Sequence, residues 1–175
     1  MRFPQLERVH VIAQFSQFQA GRLHSSGRRF LPLIVLTLSD GKQLGVVDRH
    51  HRVDSSMLGV IGNAQLIFLL SVLELQTAQQ RRLDYDQPNA ISTAPTAHGM
   101  IVDVLTWEQH RELGYDAIYS EMLVDVGIGI IGVRTNITTP DFAASMGIER
   151  FHAGDWITIR RSRIDILGFR LEAEG

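Results

Sequence analysis

Cysteine is absent from the 175 residues, which removes disulfides, thiolate nucleophiles, thiolate zinc sites and cysteine-ligated iron–sulfur clusters from consideration. Lysine is nearly absent: of 17 basic residues only Lys42 is not Arg. With a net charge of −2, the chain has little of the diffuse positive charge on which non-specific nucleic-acid affinity depends. Long apolar runs are missing as well. The most apolar stretch, Met57 to Leu75, is interrupted by Asn63, Gln65, Ser71 and Glu74, whereas a helical membrane span needs about 20 nearly continuous apolar residues. No apolar stretch with a small-residue cleavage site follows Met1-Arg2-Phe3-Pro4-Gln5, so the expectation is a cytoplasmic location.

What is present suits one folded domain spanning 1–175. The composition, 45% hydrophobic and 21% charged, is that of a globular chain long enough to bury a single core. Charge is unevenly placed. Residues 1–82 hold ten Lys/Arg against five Asp/Glu, and residues 83–150 hold three against ten. Either the two segments neutralise each other on one surface, or they form opposite-charge faces that meet a partner or a second copy. The preference for Arg, whose planar guanidinium makes bidentate contacts, favours recognition.

Period-two patterning dominates. Val9 to Phe18 alternates Val9, Val11, Ala13 and Phe15 against His10, Gln14 and Ser16, a half-buried strand. Leu31 to Leu38, a reversal at Asp40-Gly41, and Gln43 to Asp48 read as a hairpin. In Met57 to Gln76 the spacing favours strand, with Gly62-Asn63 as a tight turn; the competing reading has Asn63 cap a helix running toward Arg82. Residues 84–97, rich in Asp, Pro, Asn, Ser and Thr, read as an exposed loop. Met100 to Leu105 is a strand, Thr106 to Gly114 a short helix opened by a capping box, Ile118 to Val126 a strand with one acidic face, and Pro140 to Met146 a two-turn helix. Gly154 to Leu171 reads as strand throughout, its pattern changing phase between Arg160 and Arg163, where a bulge or corner belongs. The fold expected is mainly β: an antiparallel barrel or sandwich of about seven or eight strands with two short helices.

Four groups of residues invite a chemical reading. Gly127-Ile128-Gly129-Ile130-Ile131-Gly132 has the spacing of a dinucleotide fingerprint, but Val133 to Pro140 is β-branched and closed by proline, so no helix can present its amino terminus to a pyrophosphate. A glycine bend between two strands is expected instead, and no cofactor. Asp48-Arg49-His50-His51-Arg52-Val53-Asp54 holds adjacent histidines, which point apart in an extended chain; a solvated loop or a basic contact surface through Arg49 and Arg52 is expected, and no metal. His98, Asp103, Glu108 and His110 have acid–base chemistry if they converge, which spacing alone does not decide. The carboxy-terminal segment presents Trp156, Arg160, Arg161 and Arg163 outward, a recognition patch or a set of partners for the acidic segment 103–125.

The leading functional expectation is a non-catalytic β-barrel binding or scaffold module, an accessory or assembly factor, acting through contacts with a protein or its own copies. Its binding residues are Trp156, Arg160, Arg161, Arg163, Arg49 and Arg52. The alternatives are a nucleic-acid-binding OB-like barrel, in which an Arg patch works with aromatic platforms, and a small-ligand-binding barrel or enzyme.

Overall fold

The computed structural model describes residues 6–69, 71–87, 89–104, 122–134, 151–160 and 162–172. Twelve strands join in one mixed sheet: β1 (His10–Gln19), β2 (Leu33–Leu38), β3 (Gln43–Val47), β4 (Ile61–Leu69), β5 (Val72–Leu75), β6 (Arg82–Asp84), β7 (Ile91–Ser92), β8 (Thr96–Val104), β9 (Met122–Asp125), β10 (Gly129–Arg134), β11 (Trp156–Arg160) and β12 (Arg163–Leu171). The strand order is β1-β2-β3-β12-β4-β10-β9-β8-β11-β5, with β6 on β8 and β7 on β3. Because β1 also pairs with β4, the strands β1, β2, β3, β12 and β4 make a closed ring of hydrogen-bonded pairs. Among the described residues the only helical elements are two three-residue 3-10 turns, Leu6–Arg8 and Ser55–Met57. The expected helices at 106–114 and 140–146 lie outside the described residues.

The mainly β expectation is met; the finer one is corrected in two ways. The described residues alone form twelve strands rather than seven or eight, and three pairings among them are parallel: β4 with β10, β3 with β12 and β3 with β7. Patterning reveals which face of a strand is buried but not which distant strand lies beside it, so direction is not readable from it.

In β1, Val11, Ala13 and Phe15 point into the core as their spacing predicts. A bulge between Phe15 and Gln17 then shifts the register, and the far half of the strand pairs with β2 while the near half pairs with β4. The β2–β3 hairpin turns at Asp40-Gly41 as expected. Gly41 takes φ +81°, and the Asp40 carboxylate accepts the Lys42 amide at 2.9 Å.

The strand reading of Met57 to Gln76 holds, but its turn does not fall at Gly62-Asn63. Both residues lie inside β4, opposite Leu171 and Arg170 of β12. A Cβ at position 62 would run into the Arg170 carbonyl, so this glycine permits close strand approach. The core is built from Phe15, Leu36, Leu44, Leu66, Phe68, Ile101, Met122, Ile131 and Ile157. β4 is buried on its second face too, through Gln65 and Ile67. Leu123 of β9 is likewise fully buried, so the wet acidic face expected of 118–126 is reduced, in its described part, to Asp125. Residues 84–97 contain β7 and the fully buried Ser92, whose hydroxyl donates to the Asp86 carboxylate.

The GxGxxG segment is a bend between antiparallel strands β9 and β10. Gly127 takes φ +88°, and Val126 N donates to Gly129 O at 3.0 Å. The phase change falls where β11 ends at Arg160 and β12 begins at Arg163. Ser162 is buried there, its hydroxyl 2.7 Å from that of Ser71, so one hydrogen bond fastens two chain corners.

Candidate functional site

Four strands, β6, β8, β11 and β5, lie side by side and bury Leu83, Ala97, Ile157, Ile159 and Leu73 on one face. Alternation then sends Arg82, Asp84, His98, Met100, Trp156, Thr158, Arg160 and Glu74 to the other. Register sets Arg82 opposite His98, His98 opposite Thr158, and Thr158 opposite Glu74. A polar row runs straight across the strands.

Trp156 and Arg160 both stand on this face, as expected of the last segment, but each is already engaged. The Arg81 guanidinium lies 5.0 Å from the Trp156 ring centroid, and its Nε is 3.5 Å from Asp125. Arg160 Nε donates to Glu74 at 3.1 Å. Arg163 lies beyond the break, on β12, where Nε and a terminal nitrogen grip both oxygens of Asp165 at 2.9 and 3.1 Å. Arg161 lies outside the described residues. The expectation that these arginines pair with segment 103–125 is therefore corrected for Arg160 and Arg163: their carboxylates come from the neighbouring strand and from two residues onward. Strand partners were not readable from charge placement.

Of the group His98, Asp103, Glu108 and His110, the two described members, His98 and Asp103, do not meet. Asp103 accepts Arg8 at 2.6 Å, at the far end of β8, while Glu108 and His110 lie outside the described residues. His98 is instead held on both sides: Nδ1 is 3.1 Å from the Thr158 hydroxyl and Nε2 is 2.9 Å from an Asp84 oxygen, and Arg82 occupies the other oxygen at 3.0 Å. This hydroxyl–imidazole–carboxylate row was missed in the sequence because its members lie 60 and 14 positions apart. Thr158 is only 6% exposed, so the row ties three strands together and does not offer a hydroxyl to solvent.

Gln76 fastens the chain at the end of β5. The Gln76 carboxamide donates to Ile157 O at 2.6 Å, to Gln80 O at 3.1 Å and to Gly99 O at 3.4 Å, while its oxygen accepts the Gln80 amide at 3.1 Å. Among the described residues β5 is bonded along one edge only, to β11. Val72 and Leu75 are exposed.

Arg49 and Arg52 are far from this face, on the loop that follows β3. The two carboxylates flanking them are used by the backbone. Asp48 is buried and accepts the Arg52 and Val53 amides at 2.9 and 3.0 Å; Asp54 accepts the Ser56 amide at 2.9 Å and caps the 3-10 turn. His51 itself adopts φ +50°. Both guanidiniums are exposed without side-chain partners among the described residues. They share this end of the sheet with Arg22, Arg28 and Arg29 of the β1–β2 loop, joined to it by Asp48 N donating to Pro32 O at 3.1 Å.

Comparison with protein-family models, with curated proteins and with solved structures returns no match to this chain.

Proposed function

We propose that this chain is a non-catalytic barrel module that binds protein by accepting a strand on the open edge of β5. The ring formed by β1, β2, β3, β12 and β4 serves in this reading as a closed barrel that carries the β6–β8–β11–β5 sheet as a platform. The observation that supports the reading is the β5 edge itself: a strand clamped by Gln76, bonded on one side among the described residues, with Val72 and Leu75 exposed. An exposed edge offers a row of unpaired backbone groups to an incoming strand. The Arg160–Glu74 pair and the Arg81-stacked Trp156 flank it on the outer face and would set which side chains the incoming strand can carry. The partner is another protein or a second copy of this chain.

The nucleic-acid alternative draws less support on this strand. Arg160 is already engaged with Glu74, Arg163 lies on β12 and is engaged with Asp165, and Arg81 lies over the Trp156 ring.

The test is quantitative capture of proteins by the immobilised full chain, set against the same chain carrying Val72→Lys and Leu75→Lys, with light scattering at low and high salt to read self-association. A set of partners, or a dimer, lost in the double variant supports the reading. Identical capture profiles together with monomers throughout would remove it.

A further inference from the structure

Strand register gathers a second, unrelated set of residues at one end of the β1–β2–β3–β12–β4 ring. Gln19 at the end of β1 faces Leu33 at the start of β2, Leu33 faces Val47 at the end of β3, and Leu171 at the end of β12 faces Gly62 at the start of β4. Segments 20–32 and 48–60 therefore leave the sheet, and β12 ends, at one end. Backbone bonds hold them there: Asp48 N to Pro32 O at 3.1 Å, and Gly59 N to Phe15 O at 2.7 Å.

Two properties coincide at this end. It carries Arg22, Arg28, Arg29, Arg49, Arg52 and Arg170, of which all but Arg29 lack a side-chain hydrogen-bond partner among the described residues; Arg29 reaches only the Gly21 carbonyl, at 3.4 Å. Exposed carboxylates there number two among the described residues, Asp54 and Glu172. It also carries Leu23, Phe30, Ile61 and Leu171, which at 59–66% are the most exposed large apolar side chains among the described residues. Exposed apolar side chains are ordinary when scattered; gathered at one end together with exposed arginines they mark a contact surface.

We propose that this end is a peripheral docking surface for an anionic lipid bilayer, its apolar tips entering the boundary between headgroups and acyl chains while the arginines meet lipid phosphates and carboxylates. Charge complementarity selects an anionic partner. Side-chain type then separates the candidates. Stacking on bases requires aromatic faces, but Leu23, Ile61 and Leu171 are aliphatic, and Phe30 already meets the His24 ring edge-on at 5.5 Å. Shape separates a bilayer from a protein. The tips stand on three separate chain segments, which a rigid partner would have to match with three hollows, whereas a fluid interface takes them in without complementary form. This surface shares no residue with the β5 edge, so either proposal can fail alone.

The experiment is co-sedimentation of the full chain with vesicles of phosphatidylcholine alone and of phosphatidylcholine mixed equally with phosphatidylserine. Binding is expected only to the mixed vesicles, falling as salt is raised. Arg28→Glu with Arg29→Glu, and independently Arg49→Glu with Arg52→Glu, should each weaken it at least about tenfold. Leu23→Ser with Phe30→Ser should weaken it at any salt. Leu23→Trp should shift its emission to the blue on mixed vesicles, and Val72→Lys with Leu75→Lys should bind as the parent does. All substitutions are at exposed positions, and circular dichroism checks that each variant is folded. No binding to mixed vesicles would overturn the proposal, as would equal binding to both vesicle types. So would retention of a labelled oligonucleotide that needs the arginines but is indifferent to Leu23 and Phe30.

Discussion

Asp165 of β12 is only 3% exposed. Its carboxylate is buried between β3 and β4, opposite Val47 and Ile67, and its two oxygens are met by Arg163. Burying a paired charge is close to neutral, but removing one partner leaves an uncompensated ion. Arg163→Ala should therefore lower stability by about 3 kcal/mol, read by chemical denaturation, and Arg163→Ala combined with Asp165→Leu should recover much of that loss.

Asp54 makes a pH prediction of known sign. Its carboxyl is held below the ordinary value of 3.8 by the Ser56 amide and then by the Ser56 hydroxyl. A carboxylate with a depressed folded pKa contributes stability above the unfolded value, and that contribution is lost as pH falls through the folded one. The Ser56 amide signal should accordingly titrate with a midpoint below 3.8, and Asp54→Asn should abolish the transition. Tyr85 behaves in the opposite sense. Burial first, and then Asp40, pushes its phenol well above the usual range, so the folded protein holds that proton through moderately alkaline pH.

At the scale of elements, glycine decides where strands cross. Gly129 takes φ +154°, and a Cβ there would collide with the His10 carbonyl where β1 and β10 pair. Gly129→Ala should cost about 3 kcal/mol or more, since the clash is with backbone and has no flexible side chain to absorb it; a shifted denaturation midpoint measures this. Three glycines in one motif were legible as a bend because the following residues refuse a helix. That the second glycine serves contact with β1, the first strand of the sheet, was not legible, because that contact spans 119 positions between His10 and Gly129. The same limit hid the Thr158–His98–Asp84 row, in which each pairing depends on register between strands that patterning had identified only one at a time.

At the scale of the whole molecule, sheet topology controls both charge and kinetics. The basic first part and the acidic middle part meet in Arg8–Asp103 and Arg81–Asp125 pairs, so part of the sequence asymmetry is neutralised within the fold. Exposed pairs of this kind contribute about 0–1 kcal/mol each, and raised salt should change stability little. Folding should be slow. β4 pairs with β12 and β1 with β10, both across most of the chain, and such closures spend chain entropy before contacts reward it. Refolding by stopped-flow fluorescence should show phases of about seconds or slower; completion within about a millisecond would contradict the topology.

Side-chain period, with the Asp-Gly turn signal, determined that this is a mainly β protein, that Val11, Ala13 and Phe15 face inward, that Asp40-Gly41 turns a hairpin, and that the pattern changes phase between Arg160 and Arg163, where a bulge or corner belongs. These are consequences of the alternating geometry of a single strand, which each residue feels locally. Only the tertiary structure decided the three parallel pairings, the partners of the arginines, and the gathering of Arg22, Arg28, Arg29, Arg49, Arg52 and Arg170 at one end. Those depend on which strands become neighbours and in what register, and the free energy that selects them comes from burial shared between residues far apart in the chain, so no local stretch of sequence carries it.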